Sequence, residues 1–445
     1  MFIKFFDICK NNFNCQNLAL FVKLENFLLK YEKHMLLFIF SISFILRTLP
    51  VNLGYHIWDE TVYLSHAEII AGIRQNYYNE FEIRPPLLSF LLAPFQLSPF
   101  PLFLSHILVS FLSSLCVVLV YFVGKELYNK EIGIFSSIVF MFFPYHIQLS
   151  HSILVDSILP FFWLTTLYSI LKEKPTWIQS AFFVLSVLLK FTSLFLFFVV
   201  LPFFRNKKEF FRFCLLSSVL LFPYFLWNFV NYGNPIHSFL SGFFAISIDS
   251  QANYYDFLFM AFYTFPFLLL AFPENKKEIT PFVFLIILLL IARKEFRLLL
   301  PIAPFLLFYT IRNLMKYSFL LPIFLLFVFI LFNNYSGFYP VLYTNETNAI
   351  MLVGDFLEKN NLSFCTNQRW PELYYYSKQR MVLLPVYREI NRSDIGFFCG
   401  EVDVAVLFSN TSPYWRNADF DYLKKIICYG NICVFNISSI PPKEQ

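Results

Sequence analysis

Two adjacent carboxylates, Asp59 and Glu60, are the residues best suited to chemistry, and they directly follow Trp58 at the end of the first hydrophobic segment. The polar stretch that they begin closes with Arg84, which precedes two prolines. Desolvation at a membrane surface makes a carboxylate a stronger base, and an arginine binds the negative charge that develops on a leaving group. Asp59 is therefore our candidate proton acceptor and Arg84 a candidate anion ligand. The alternatives are that the two carboxylates only keep an outer loop solvated and that Arg84 is a snorkelling arginine at the start of a helix.

A lysine, Lys190, lies in the middle of the hydrophobic run 176–204, which is too long for one membrane span. A single helix would bury its ammonium group in lipid at a cost of roughly 3 kcal/mol. The run therefore predicts two short helices that turn at Lys190-Phe191-Thr192 and bring the lysine to a surface. An ionisable residue inside a membrane segment is a functional candidate by default.

Further charged candidates follow from the same topology. Arg293, Lys294 and Arg297 cluster on the predicted outer side, where the positive-inside rule disfavours cations, and a site for a lipid phosphate would explain them. Asp156 is a candidate second acid facing the same cavity as Asp59, or else an acid that stabilises a helix N-terminus. His151 lies near Asp156 and could contact a ligand, although a lone histidine near an interface is more often structural.

The composition excludes a soluble protein. Of the 445 residues, 58% are hydrophobic and 14% are charged, and the apolar residues form blocks long enough to span a bilayer. The net charge of +5 comes from short basic clusters between these blocks, which indicate topology rather than nucleic-acid binding. Residues 1–34 show no cleavable signal peptide, and Asn17–Lys33 has the pattern of an interfacial amphipathic helix.

The pattern predicts a polytopic α-helical membrane protein with about eleven membrane segments. The positive-inside rule places the N-terminus in the cytoplasm and the C-terminus outside a membrane that we expect to be the cell membrane. We divide the chain into an interfacial segment (1–34), a membrane domain (35–333) and an outer domain (334–445). The predicted segments are 35–49, 100–123, 132–148, 156–172, two short helices in 176–204, 211–229, 256–272, 279–292, 298–314 and 318–333.

Residues 334–445 change character and predict a small extracytoplasmic α/β domain. They contain all six Asn-X-Ser/Thr sequons of the chain, which suits an outer location. Cys428 and Cys433 flank a turn-like triplet, so a disulfide could join them, with Cys365 and Cys399 as a second pair; the sequence leaves both bonds open. No Cys/His spacing predicts zinc.

With these residues the chain resembles the GT-C superfamily of polyprenyl-phosphate-sugar-dependent glycosyltransferases, in the branch of protein O-mannosyltransferases and the lipid A aminoarabinose transferase. The motifs stand in the family's order over roughly residues 35–333. They are Asp59-Glu60, Arg84-Pro85-Pro86-Leu87, Asp156, Lys190-Phe191-Thr192 and the run from Lys294 through Arg297 to Pro301. Some members place a metal-binding Glu directly before the prolyl motif, where this chain has Ile83, so we expect no metal cofactor.

The resemblance implies inverting transfer of one sugar, a hexose such as mannose, from a polyprenyl- or dolichyl-phosphate carrier. The acceptor would be a lipid, glycan or protein at the outer face, with Asp59 as general base. Arg84, Lys190 and Arg297 would hold the phosphate, while Asp156 and Glu60 would shape the cavity. A lipid-linked sugar transporter is an alternative, but we find neither internal repeats nor acids at mid-membrane. An oligosaccharyltransferase is another, although the outer domain holds only single tryptophans, Trp370 and Trp415.

Overall fold

The structure is a computed structural model that describes residues 31–49, 58–75, 84–248, 270–290, 296–315, 345–367, 369–384, 399–408 and 423–437. The helices up to residue 315 are α1 (Glu32–Thr48), α2 (Trp58–Ile70), α3 (Leu87–Gln96), α4 (Pro101–Leu127), α5 (Lys130–Met141), α6 (Pro144–Ser150), α7 (Val155–Leu171), α8 (Thr176–Leu189), α9 (Leu196–Val200), α10 (Lys207–Tyr232), α11 (His237–Ile248), α12 (Thr280–Leu290) and α13 (Ala303–Met315). Short 3₁₀ helices span Phe191–Phe195, Leu201–Phe203, Lys276–Ile279 and Phe296–Ile302.

Three helical stretches in the described ranges are long and apolar enough to cross a membrane: Pro101–Leu127, Lys207–Tyr232 and Arg297–Met315. A fourth span results if α5 and α6, which meet at a bend of 56°, count as one. Helix α10 leaves apolar side chains such as Phe211, Phe222 and Phe229 exposed, as a surface in contact with lipid would. The number eleven stays a prediction, because most of 256–272 and all of 318–333 lie outside the described residues.

The predicted break at Lys190 is present. Helix α8 ends at Leu189, and Lys190 takes an extended conformation with φ −154° and ψ 123°. A 3₁₀ helix (Phe191–Phe195) and the short α9 follow. The predicted third segment is also broken, because Pro144 begins α6 after the bend and fits the first turn of a helix, where no N–H bond is needed.

The stretch that we treated as a polar loop, residues 50–97, instead contains two helices, α2 and α3. Every residue of α2 from Asp59 to Ala67 is buried, although its sequence is mixed in polarity. Contacts on both sides of this helix, described below, explain the burial, and the sequence gives no sign of them. Likewise α11 lies between the predicted segments 211–229 and 256–272, where we expected no helix.

The membrane helices approach closely where side chains are small. At Gly124 of α4 an added Cβ would lie 2.9 Å from the Cα of Gly133 in α5, so these two helices touch through their backbones. Buried serines donate hydrogen bonds between helices, for example from Ser137 Oγ to the Val117 carbonyl oxygen at 2.8 Å. Both features are typical of helix packing in membranes.

The C-terminal part combines helices α14 (Asn345–Lys359) and α15 (Trp370–Ser377) with a five-stranded sheet of order β2-β1-β3-β5-β4. Its strands are β1 (Phe364–Thr366), β2 (Met381–Leu383), β3 (Val404–Phe408), β4 (Lys424–Tyr429) and β5 (Ile432–Asn436). Strand β1 pairs in parallel with β2 and β3, whereas β5 pairs antiparallel with β3 and β4. The predicted mixture of helix and strand is therefore present.

Two disulfide bonds join the cysteines that the sequence left open. Cys365 in β1 is bonded to Cys399, with 5.6 Å between their Cα atoms. Cys428 and Cys433 are bonded across the β4–β5 hairpin, with Cα atoms 4.2 Å apart. Among the sequons, Asn361 is exposed at the end of α14, whereas Asn334, Asn391 and Asn410 lie outside the described residues.

Candidate active site

Five charged side chains from five separate elements meet at one end of the helical core. Asp59 stands in the first turn of α2, and Arg84 stands just before α3. Asp156 stands in the first turn of α7, Lys190 lies in the break after α8, and Arg297 belongs to the 3₁₀ helix before α13. The longest separation along the chain between two contacting members is 238 residues.

These side chains form an alternating series of ion pairs, which we call the ion-pair chain. Arg84 Nη2 donates to Asp59 Oδ1 at 2.5 Å, and Arg297 Nη1 donates to Asp59 Oδ2. Arg297 Nη1 also lies 3.8 Å from Asp156 Oδ2, and Lys190 Nζ donates to Asp156 Oδ1. The order is Arg84, Asp59, Arg297, Asp156, Lys190. The structure therefore brings together five of the nine residues singled out in the sequence.

The ion-pair chain holds two carboxylates and three cations, so its formal charge is 3 − 2 = +1. The cations are also the more accessible groups: the side chains of Arg84, Arg297 and Lys190 are 25%, 21% and 15% exposed, against 11% and 2% for Asp59 and Asp156. An incoming anion would meet the cations first. The cluster is thus suited to bind one further negative charge.

The pKa of Asp59 corrects one inference from the sequence. Burial by itself would raise this pKa, as we expected of a base at a membrane surface. The positive charges of Arg84 and Arg297 outweigh burial and hold the pKa of Asp59 well below its usual range. Without a ligand Asp59 is therefore an ionised but weak base.

Glu60 and His151 have other partners. Glu60 is buried, and its Oε1 accepts a hydrogen bond from the backbone N–H of Ile153 at 2.7 Å. It therefore ties the start of α2 to the turn before α7. His151 Nε2 lies 3.1 Å from the Leu46 carbonyl oxygen, and burial lowers its pKa. These contacts favour structural roles for both. Arg293 and Lys294 lie outside the described residues.

A buried arginine, Arg47, stands in the last turn of α1 and was not among the candidate residues of the sequence. Its Nη1 donates to Ser43 Oγ at 2.7 Å and to the Met141 carbonyl oxygen at 3.3 Å. Its Nη2 lies 2.8 Å from His146 Nδ1, whose Nε2 lies 2.9 Å from the Ser157 carbonyl oxygen. Because the arginine can only donate, His146 accepts at Nδ1 and donates at Nε2. Arg47 thus supports the backbone next to Asp156; its place in a hydrophobic helix was the signal that could have revealed it.

A second missed residue is Arg74, which follows α2 and contacts the C-terminal domain. Its partners in that domain lie about 300 residues away, and no spacing in the sequence points to them. Tyr63 was also missed; it is buried beside the ion-pair chain, and burial raises its pKa to about 12.

The opposite end of the core gathers residues from the predicted cytoplasmic links. Glu32 pairs with Lys125 at 2.8 Å and with Lys130 at 3.1 Å, and Glu278 binds Arg312 at the end of α13. The residues predicted to lie on opposite sides of a membrane therefore do lie at opposite ends of the helices.

Within the described ranges, no group of three or more His, Cys, Asp or Glu side chains is arranged to hold a metal ion. The expectation that no metal cofactor is used remains a prediction.

Solved structures share this fold. ArnT from Cupriavidus metallidurans bound to undecaprenyl phosphate matches with a TM-score of 0.58 and 12% identity, covering 93% of this chain and 99% of that one. Its apo form gives a TM-score of 0.61. The archaeal oligosaccharyltransferase AglB from Archaeoglobus fulgidus, in complex with an inhibitory peptide and a dolichol-phosphate, matches with a TM-score of 0.55 and 12% identity, covering 94% and 75%.

Another structure of the Archaeoglobus fulgidus oligosaccharyltransferase, in complex with zinc and sulfate, gives a TM-score of 0.53 at 11% identity and covers 84% of this chain and 68% of that one. No protein-family model and no curated protein matches this sequence. The chain thus shares the fold of ArnT and of the Archaeoglobus fulgidus oligosaccharyltransferase over most of its length.

Proposed function

We propose that this protein is a membrane glycosyltransferase that moves a single sugar from a polyprenyl- or dolichyl-phosphate carrier to an acceptor hydroxyl. The observation that carries this proposal is the ion-pair chain, in which a buried carboxylate lies among accessible cations in surplus. The shared fold supports it, because the solved structures of ArnT and AglB named above hold undecaprenyl phosphate and dolichol-phosphate, respectively.

In the proposed reaction, the acceptor oxygen attacks the anomeric carbon of the donor sugar from the face opposite the phosphate. Asp59 takes the proton of the attacking hydroxyl. The bond between the anomeric carbon and the phosphate oxygen breaks, and its electron pair remains on the released polyprenyl phosphate. Arg84, Arg297 and Lys190 stabilise the charge that develops there. Attack from the opposite face inverts the anomeric centre.

The ion pairs also suggest how donor binding prepares the base. In the free protein Arg84 and Arg297 both bind Asp59 and keep its pKa low. A donor phosphate would compete for the same two guanidinium groups and would place a negative charge nearby. Both effects raise the pKa of Asp59. The carboxylate would thus become a stronger base only when the donor is present, which protects against unproductive proton transfer.

The proposal includes an orientation and a division of the chain. The ion-pair chain and the residues from 334 onward would face the outside, and the ends marked by Glu32 and Glu278 would face the cytoplasm. The two disulfides support an outer location for the C-terminal domain, because such bonds persist in oxidising compartments. The membrane domain would span residues 35–333, after an interfacial segment 1–34.

A second candidate function is the transfer of a whole glycan, as an oligosaccharyltransferase performs it. The likeness to AglB favours this reading. It differs from our first proposal in the transferred group, since a whole glycan rather than a single sugar would leave the carrier.

The test is a transfer assay with the purified full-length protein and a panel of polyprenyl-phosphate sugars, hexoses such as mannose included. Acceptors would be extracted lipids, glycans and peptides. We expect transfer with the wild type and a loss of roughly a hundredfold or more in Asp59→Asn, since a general base contributes about that much. Asp355→Asn, an exposed aspartate in α14, is the matched control and should retain activity. Transfer that survives in Asp59→Asn would remove this residue as the base.

A further inference from the structure

Helix α2 is held from two sides. On the membrane side, Leu64 and Ala67 belong to the large hydrophobic cluster of the helical core, and Ser89 Oγ donates to the Tyr63 carbonyl oxygen at 3.1 Å. On the other side, Val62 belongs to the hydrophobic cluster of the C-terminal domain, together with residues such as Leu373. The helix that carries Asp59 is therefore a layer between the two parts of the molecule.

One buried side chain, Arg74, joins the end of this layer to the C-terminal domain. Its Nη1 donates to Ser65 Oγ at 2.9 Å, and its Nε lies 3.3 Å from Glu68 Oε2, so that two partners stand on α2. Its Nη2 donates to the Tyr375 carbonyl oxygen at 2.7 Å, and its guanidinium lies 4.6 Å from the centre of the Tyr374 ring. These two partners stand on α15.

A second contact reinforces this junction. The hydroxyl group of Tyr374 donates to the Gln75 carbonyl oxygen at 3.2 Å, directly after Arg74. Tyr374 and Tyr375 of α15 thus contact the segment that follows α2 through both the Arg74 side chain and the Gln75 backbone. Tyr374 is itself fully buried.

The geometry of an arginine is better suited to fixing the orientation of α2 relative to α15 than to simply holding the two helices together. A guanidinium group presents its donors in a rigid plane, and here three of its nitrogens address three different partners. The charge is also costly to bury: its side chain is only 2% exposed. Apolar residues would fill the same space without the cost of desolvating a charge. A buried charged group here is therefore best explained if it selects one arrangement of α2 and α15.

The angle of α2 matters because the partners of Asp59 stand on other elements. Arg84 precedes α3, and Arg297 precedes α13, so neither moves with α2 as a rigid body. A tilt or rotation of this short helix would change both Asp59 ion pairs together. Small displacements of this kind are expensive in catalysis: about 1 Å can cost on the order of a hundredfold in rate.

We propose that Arg74 is a positioning residue, which locks α2 to α15 and thereby holds Asp59 in register with Arg84 and Arg297. The inference rests on the proposed role of Asp59 as the base, and it makes the C-terminal domain part of the catalytic device. That domain then sets the orientation of the base from outside the membrane core.

The experiment compares Arg74→Gln and Arg74→Lys in the full-length protein. The matched control is Arg380→Gln, which removes an exposed ion pair with Glu401 inside the C-terminal domain. Three quantities are measured: kcat for transfer, the affinity for polyprenyl phosphate, and the hydrogen exchange of backbone amides in α2. For Arg74→Gln we expect kcat to fall about tenfold to a hundredfold, faster exchange in residues 58–70, and unchanged affinity for the carrier. Arg74→Lys should recover part of kcat, and Arg380→Gln should match the wild type.

The proposal is overturned if folded Arg74→Gln keeps the wild-type kcat, or if Arg380→Gln loses as much. Should Arg74→Gln fail to fold, Tyr374→Phe decides, because it removes the hydroxyl bond to Gln75 and keeps the ring. We expect a smaller fall in kcat and faster exchange in α2, and unchanged values of both would refute the lock. Absence of transfer by the wild type with every donor would instead refute the proposed function, while the exchange data would still test the contact between Arg74 and α2.

Discussion

The two ends of the helical core use the same kinds of residue for different purposes. At one end Asp59 binds Arg84 and Arg297, and at the other Glu278 binds Arg312. Each end thus has a carboxylate paired with arginine. The difference lies in what else surrounds the carboxylate and in which sign of charge is in surplus.

Glu278 is surrounded by hydrogen-bond donors that belong to the local backbone and its neighbours. Besides Arg312, it accepts from the hydroxyl of Tyr128 at 2.9 Å, from Asn275 Nδ2 at 2.8 Å and from the backbone N–H of Glu274 at 2.7 Å. Burial would raise its pKa, but the Glu274 backbone bond and Arg312 lower it. Its carboxylate is thus fully engaged in joining the link before α12 to α13.

The charge balance separates these two arginine–carboxylate clusters as well. Arg312 is shared by Glu278 and, at 3.5 Å, by Glu274, so this cluster has a formal charge of 1 − 2 = −1. The ion-pair chain has +1 and keeps its cations partly exposed. An arginine–carboxylate pair therefore indicates a binding site only where cations are in excess and accessible. Where the carboxylate oxygens already accept hydrogen bonds from several protein groups, the pair indicates a structural connection.

The sharpest test of this distinction is the paired replacement of its two arginines. Arg297→Gln should lower kcat/KM for transfer by roughly a hundredfold to a thousandfold, because Arg297 contacts both carboxylates and would hold the leaving phosphate. Arg312→Gln should lower the thermal unfolding temperature but leave kcat per folded molecule unchanged. Equal losses of kcat in the two variants would erase the distinction.

A second comparison concerns the two lysines. Lys190→Ala should weaken the binding of polyprenyl phosphate about tenfold or more, because a hydrogen bond to a charged group is worth about 1.5–3 kcal/mol. Lys125→Ala, at the opposite end of the core, should bind the carrier like the wild type. Isothermal titration in detergent measures both affinities. A Lys190→Ala variant with undiminished affinity would contradict the placement of the phosphate.

The pH dependence tests whether the donor changes the base. The limb of kcat/KM at low pH reports the free enzyme, and that of kcat reports the complex. Arg84 and Arg297 depress the pKa of Asp59 in the free enzyme, and the bound donor would raise it. We therefore expect the low-pH limb of kcat to lie at higher pH than that of kcat/KM. Arg84→Gln should raise the kcat/KM limb by roughly one unit. Coincident limbs in the wild type would contradict competition for the arginines.

The low pKa of Asp59 also makes the stability of the folded protein depend on pH. A depressed pKa in the folded state means that the Asp59 ion pairs contribute fully above the unfolded value of about 3.9, and that this contribution is lost as the pH falls through the folded value.

The smallest effect is expected at Glu278, whose carboxylate already accepts hydrogen bonds from several protein groups. Glu278→Gln should reduce stability by on the order of 1 kcal/mol, because the amide keeps one acceptor oxygen but loses the charge that Arg312 binds. Thermal unfolding in detergent measures this change. Glu401→Gln, in an exposed ion pair with Arg380, should leave the unfolding temperature unchanged, since such pairs contribute little. A larger loss from Glu401→Gln would reverse the ranking.

Much of the architecture could be predicted from local chemistry. A charge in lipid is expensive, so the break at Lys190 and the accumulation of Asp59, Arg84, Asp156 and Arg297 at one end follow from the order of apolar blocks. The C-terminal mixture of helix and strand follows from its composition and periodicity. The disulfide partners could only be suggested, because cysteine spacing does not determine connectivity.

The tertiary structure decided what the charged residues do to one another. Burial alone predicted a stronger base at Asp59, but two guanidinium groups from distant segments reverse the direction of its pKa. The helical form of α2 and the roles of Arg47 and Arg74 depend likewise on partners that are near in space and far along the chain. Local patterns determine which residues must leave the lipid; only the packing of the helices determines which of them meet, because Coulomb and hydrogen-bond energies depend on distance in space.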